Sequence, residues 1–185
     1  MLHMEQKDYK LEIVDELLKN DNHARGIAKN LETNHMIIVR KMNNLSKENV
    51  VDYRQQGKNK VYFLKKSAEA KAYAFMTESY KIVRILKKYP QLRGIVEKIQ
   101  KNKEIKLAVL FGSYAKGTAK TESDIDVYLD STNGVLKKEL EKLDTKLSVK
   151  IGKYNKSNLL IKEIDKNHII IKGIEQYYEK SGFFD

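Results

Sequence analysis

The sequence predicts an α+β protein built from an N-terminal helical domain closed by a β-hairpin and a C-terminal domain of alternating strands and helices. Three observations carry this. Leu107-Ala108-Val109-Leu110-Phe111 is an uninterrupted apolar run cut off by Gly112-Ser113, as in a strand buried on both faces. Ser123 to Leu129 alternates polar and apolar with period two, a second strand. In the first 66 residues, three segments of helical periodicity precede two short β-rich runs. The expected domains are residues 1–66 and 90–185, with 67–89 as a linking helix.

In chain order, Lys10–Lys19 places Leu11, Val14, Leu17 and Leu18 on one helical face. Asp21 and Asn22 interrupt it and cap a second helix from about His23 to Leu31. After the polar turn Glu32-Thr33-Asn34, a third helix runs from about His35 to Ser46 and buries Ile38, Met42 and Leu45. Val50–Arg54 and Val61–Leu64 then read as a hairpin around the turn 55–60.

Two helices joined by a three-residue turn and followed by a hairpin resemble a winged helix-turn-helix of the archaeal and bacterial transcription-factor type. The resemblance implies duplex DNA as a partner. Asn34, His35, Ile37, Arg40 and Lys41 of the third helix would face the major groove, and Arg54, Lys58 and Lys60 of the wing would reach phosphate. Such modules also serve as protein-docking scaffolds.

Residues 67–89 contain neither glycine nor proline and suit one long helix. Tyr73, Met76, Tyr80, Val83 and Leu86 recur at three and four residues, a stripe available to a second copy or to the helix's own domain. Pro90, the only proline, ends the helix. Beyond it, 91–100 is a helix with Leu92, Ile95, Val96 and Ile99 apolar. Val135–Leu147 is a helix, 148–151 a strand, 157–165 a helix, 168–172 a strand and 174–180 a terminal helix. No internal repeat or low-complexity segment appears.

The chemistry concentrates between Leu107 and Asp130. After the apolar strand, Gly112 and the N-capping Ser113 open a short turn over 114–116 that Gly117 stops, offering bare backbone N–H groups to an anion. In the next strand Ile125, Val127 and Leu129 take one face and Asp124 and Asp126 the other. Like charges about 6 to 7 Å apart repel unless a cation sits between them. Paired carboxylates with open coordination positions suit Mg²⁺ shared with a phosphate, so the pattern points to phosphoryl or nucleotidyl transfer.

Gly112-Ser113, Gly117 and Ser123-Asp124-Ile125-Asp126, in this order and spacing, resemble the signature of the DNA polymerase β-like nucleotidyltransferase superfamily, in its minimal branch. By that resemblance Gly112, Ser113 and Ser123 bind a nucleoside triphosphate, and Asp124 and Asp126 are catalytic and hold two Mg²⁺ ions. The family places a third carboxylate on the neighbouring strand. Here that strand is Leu147-Ser148-Val149-Lys150-Ile151, and Ser148 and Lys150 are expected to face the cleft. Either the base comes from water, the acceptor or a carboxylate such as Glu122, or Lys150 neutralises the aspartates and leaves a nucleotide sensor. The resemblance further implies an acceptor hydroxyl on protein, nucleic acid or a small molecule, and an antitoxin role beside a HEPN-type toxin partner.

Composition bounds these readings. The 185 residues are 41% hydrophobic and 33% charged, with a mean hydropathy of −0.60. No apolar run approaches the roughly 18 residues of a membrane span, and no signal peptide opens the chain, so a cytoplasmic protein without a membrane partner is expected. There are no cysteines, and His3, His23, His35 and His168 lack ligand spacing, which leaves oxygen-ligated magnesium rather than zinc. The net charge of +11 favours a polyanionic partner, and residues 1–89 hold 18 basic against 11 acidic side chains.

Overall fold

A computed structural model describes residues 7–185, so His3 lies outside the described residues. The chain divides between Thr77 and Glu78 into two compact units. The division falls inside the helix α4 (Ala68–Lys88), which neither glycine nor proline interrupts.

The first unit runs α1 (Tyr9–Lys19), β1 (Asn22–His23), α2 (Ala24–Asn30), α3 (His35–Lys47), β2 (Val51–Gln56) and β3 (Asn59–Leu64), followed by the first half of α4. Asp8 caps α1 through Lys10 N and Leu11 N. The helices bury Ile13, Val14 and Leu17, Ile27 and Ala28, and Ile38, Met42 and Leu45. Val50, Tyr62 and Leu64 join them from the β side. The three strands form one antiparallel sheet in the order β1-β3-β2.

Two details differ from the pattern expected of the sequence. Asn22-His23 do not begin a helix: they pair with Tyr62 and Val61 as a short strand, and His23 caps α2 by accepting Gly26 N–H on Nδ1. A histidine is not a common cap, so helical periodicity does not signal it. The hairpin is also tighter than the six-residue turn expected. Gln56 pairs with Asn59, and only Gly57-Lys58 lie between the strands. Gly57, with φ +60, supplies the left-handed residue that a two-residue turn requires.

The second unit holds a four-stranded mixed sheet in the order β6-β5-β4-β7. Its elements are α5 (Arg93–Lys101), β4 (Ala108–Phe111), α6 (Gly112–Ala115), β5 (Ile125–Asp130), α7 (Gly134–Glu141), β6 (Leu147–Gly152), α8 (Leu159–Lys166), β7 (Ile169–Lys172) and α9 (Ile174–Ser181). β4 is antiparallel to β5 and β7, whereas β5 and β6 are parallel and joined through α7. A core forms where Ala108, Leu110, Ile125, Val127, Leu129, Val149, Ile169 and Ile171 meet α5, α7 and the end of α4.

The opposite sheet face carries Asp126, Tyr128 and Asp130. Asp130 pairs with Lys180 at 3.0 Å, which puts α9 on this side. α7 is shorter than the predicted 135–147, ending at Glu141. Asp144 breaks it by accepting Lys146 N–H at 2.8 Å, so Leu143 is exposed and Leu147 opens β6 instead.

Among the described residues, no helix is long and apolar enough to cross a membrane.

Candidate nucleotidyl-transfer site

The site forms where β4 and β5 run antiparallel, with Phe111 opposite Asp126. β4 delivers the chain to Gly112, whose φ of +70 turns it into the four-residue helix α6. The departure from expectation here is small but chemical. Gly112 and Ser113 lie inside α6 and the cap position falls on Phe111, so Ser113 does not cap a helix with its hydroxyl. Ser113 O instead accepts Thr118 N–H at 2.9 Å and closes the loop. Ser113 Oγ has no partner among the described residues.

The glycine at 112 is dictated by its neighbour as well as by its φ. A Cβ there would stand 2.5 Å from Asp126 Oδ2, so the carboxylate rests directly against the bare backbone. Further along the loop, Lys88 Nζ donates to Gly117 O at 2.7 Å, and the Tyr89 and Tyr114 rings meet edge to face at 4.9 Å. Ser123, expected to bind nucleotide, is engaged within its own turn. Its Oγ accepts Lys120 N–H at 2.9 Å and closes the bend that delivers Asp124.

Asp124 is exposed just before β5 and Asp126 is half-buried within it. Neither carboxylate forms a hydrogen bond or an ion pair with any described residue. Burial, and after it the charge of Asp124, pushes the Asp126 carboxyl above its usual range. Lys150 pulls it the other way and Glu163 adds to the rise.

The register fixes what surrounds them. Ser148 lies opposite Asp126 and Lys150 opposite Tyr128, so both project on the Asp126 face. Lys150 makes no ion pair with either aspartate, though its charge favours the ionised form of Asp126. The attraction it exerts on Asp126 is outweighed by burial and Asp124. Glu122, a candidate base by sequence, is 89% exposed with Lys146 3.8 Å away. Besides Asp124, the carboxylate whose charge reaches Asp126 is Glu163, on α8, itself 3.6 Å from Lys116 just after α6. Nothing in the sequence signals it, because α8 follows the motif by some thirty residues.

Two neighbouring carboxylates without an ion-pair partner, one of them against the bare Gly112 backbone, fit a divalent ion held jointly with a phosphate. They do not fit an ion held by protein alone: no group of three or more His, Cys, Asp or Glu able to hold a metal exists among the described residues.

The eight residues expected to read DNA are placed unevenly. Asn34 Oδ1 accepts Met36 N–H at 2.7 Å, so its side chain caps α3. Ile37 and Arg40 are exposed, while His35 and Lys41 are half-buried. Met36, Asn44 and Lys47, outside the expected set, are also exposed on α3. On the hairpin Arg54 is held by Asp21 at 2.6 Å, and Lys60 Nζ lies 3.9 Å from the Tyr53 ring centroid. Lys58, at the tip, is exposed without a partner among the described residues.

Comparison with known proteins agrees with the second unit's geometry. Residues 93–176 match the model of the family described as Polymerase beta, Nucleotidyltransferase, a span that begins at α5 and ends in α9. The match supports a nucleotidyltransferase-type domain over these residues. No curated protein matches the chain.

Proposed function

We propose that the C-terminal unit transfers a nucleoside monophosphate from a nucleoside triphosphate to an acceptor hydroxyl, with Mg²⁺, and that the N-terminal unit is a winged helix-turn-helix that binds duplex DNA. The observation that carries the first part is the pair Asp124 and Asp126, neither of them in an ion pair, with Asp126 packed against Gly112. Such an arrangement costs free energy unless a ligand supplies the missing charge.

In this reading Asp124 and Asp126 hold the metal, and the Gly112-Ser113 backbone with the Ser113 hydroxyl receives the triphosphate. The bound ion would polarise the phosphate oxygens and lessen the charge developing on the departing pyrophosphate. The acceptor oxygen forms a bond to the α-phosphorus, the bond from that phosphorus to the β-phosphate oxygen breaks, and pyrophosphate leaves with the electron pair. The acceptor's proton passes to solvent or to Glu163, whose carboxylate is the further one in electrostatic range of Asp126.

With water as acceptor, slow formation of nucleoside monophosphate and pyrophosphate is the expected signature. Its loss, by at least about a hundredfold, in both Asp124→Ala and Asp126→Ala with the fold intact tests the proposal. Orthophosphate as the product would place attack at the γ-phosphorus and refute it. Protein, nucleic acid and small molecules are all acceptor classes of this reading, and a toxin partner of the HEPN type is one of them.

For DNA binding the support is the order of elements: a hairpin after α3, and a first strand that β3 takes in as the sheet's edge. The exposed face Ile37, Arg40, Asn44 and Lys47 then faces the major groove, and Lys58 reaches phosphate. Arg54, already held by Asp21, contributes less than Lys58. Neutralising Lys58 should weaken duplex binding equally across sequences and reduce the salt slope by about 0.9, while Arg40→Ala should also relax sequence preference. Fluorescence anisotropy over a salt series measures both. Unchanged affinity in the two variants would favour a protein-docking role.

A second reading rests on Lys150 and Ser148 in place of a carboxylate on β6. It makes the C-terminal unit a nucleotide sensor or dimerisation module of a DNA-binding regulator or antitoxin. It requires nucleotide binding without turnover.

A further inference from the structure

We propose that Lys150 is a catalytic residue of this site, its ammonium contacting a non-bridging phosphate oxygen of the bound triphosphate and serving, beside a single divalent ion, as a permanent second positive charge. This rests on the nucleotidyl-transfer reading and goes beyond it by fixing the number of ions and the source of the remaining charge.

β6 is the edge strand of the sheet, and its parallel register sets Ser148 opposite Asp126 and Lys150 opposite Tyr128. Lys150 thus stands one pair along from the aspartate on the same face, at a lateral strand spacing of about 4.8 Å. The diagonal between such same-face positions is about 7 to 8 Å, within reach of a long side chain, and the charge of Lys150 acts on Asp126.

Four other lysines near the loop are engaged, Lys88 on Gly117 O, Lys116 with Glu163, Lys146 on Thr121 O and Lys180 with Asp130, whereas Lys120, within the loop, is exposed and its ammonium has no partner among the described residues. Lys150 is exposed and forms no hydrogen bond or ion pair among the described residues. Its charge reaches Asp126 without closing on it. In the proposal, a phosphate oxygen that also binds a cation on the carboxylates is what the ammonium meets there.

The donor count then limits the metal. Two carboxylates can share one divalent ion with phosphate oxygens, but no third acidic, histidine or cysteine side chain completes a group around them among the described residues. A triphosphate with about four negative charges facing Asp124 and Asp126 is far from neutralised by one divalent ion. Ser148 opposite Asp126 brings no charge, and Lys150 brings a fixed one. A lysine acts as a point charge on phosphate and needs no particular coordination geometry, unlike a second ion.

The test compares the full-length protein with Lys150→Ala, Lys150→Arg and Lys150→Asp, measuring Mn²⁺ stoichiometry by electron paramagnetic resonance in the presence of ATP, ATP affinity, and pyrophosphate release. The wild type is expected to bind one Mn²⁺ per chain. Lys150→Ala should keep that stoichiometry while ATP affinity falls tenfold or more and release falls further, and Lys150→Arg should recover most of both. Lys150→Asp should not exceed Lys150→Ala in turnover. Wild-type affinity and turnover in Lys150→Ala would overturn the proposal. So would a second Mn²⁺ with raised turnover in Lys150→Asp, since Lys150 would then merely occupy a ligand's position. Failure of the wild type to bind ATP with Mn²⁺ at all would instead overturn the nucleotidyl-transfer reading itself, and this proposal with it.

Discussion

Gly112→Ala is expected to reduce Mg²⁺-dependent nucleotide binding by at least tenfold while leaving the four-stranded sheet intact. Two costs meet at this position. Its φ of +70 is a left-handed conformation that a side chain adopts at a cost of about 1 to 2 kcal/mol. The added Cβ would also stand 2.5 Å from Asp126 Oδ2, so the carboxylate must turn away from the turn it now rests on. Relief comes by moving Asp126 or by unwinding α6, and either separates the metal-holding and phosphate-holding parts of the proposed site. Thermal unfolding should register a loss of about 2 kcal/mol. Gly134→Ala is the matched control, because a Cβ there meets nothing within 4 Å and its φ is not positive. Wild-type nucleotide affinity in Gly112→Ala would show that Asp126 and the turn do not act on one ligand.

The second large effect concerns stability. Glu78, the first residue of the C-terminal unit, is 1% exposed. Burial alone would raise its carboxyl, but Lys81 with its ammonium 3.0 Å away, and His168 Nε2 at 3.6 Å, outweigh burial and hold it at about 2, against 4.5 unperturbed. Tyr178 OH also donates to it at 3.3 Å. Because the folded value is the lower one, the contribution is complete above pH 4.5 and is lost as pH falls through about 2. The difference corresponds to about 3 kcal/mol. Glu78→Gln should therefore cost about that much at pH 7, and its deficit against the wild type should shrink steadily below pH 4.5. Urea unfolding of both proteins at pH 7, 5 and 3 measures this. A deficit independent of pH would assign the loss to packing rather than charge.

The residues that make the site legible in sequence are those whose chemistry is local. An apolar run ended by Gly112, and alternation through Asp124 and Asp126, define two strands, their facing and the turn between them, because strand periodicity and a glycine's φ are short-range properties. The same logic puts Ser148 and Lys150 on the Asp126 face once Val149 is assigned to the core.

What stays hidden in sequence depends on contacts between distant segments. Asp21 holding Arg54 and β1 pairing with β3 join residues some thirty to forty apart. Glu163 entering the field of Asp126, and Glu78 meeting His168 across ninety residues, are of the same kind. Glu78 in particular sits in a helix whose polar residues read as solvent-facing. Ser113 and Asn34 depart from expectation for a different reason. Both are good caps by type, yet only Asn34 caps, because Gly112 already starts α6 one residue before Ser113.

The most direct test of the central claim is isothermal titration of the protein with nucleoside triphosphates, with and without Mg²⁺, repeated on the variant carrying both Asp124→Ala and Asp126→Ala. Binding that requires Mg²⁺ in the wild type and disappears in the double variant is the predicted result. Equal affinity with and without Mg²⁺ in both proteins would contradict it: the two aspartates would not be the metal-holding centre of a nucleotide site.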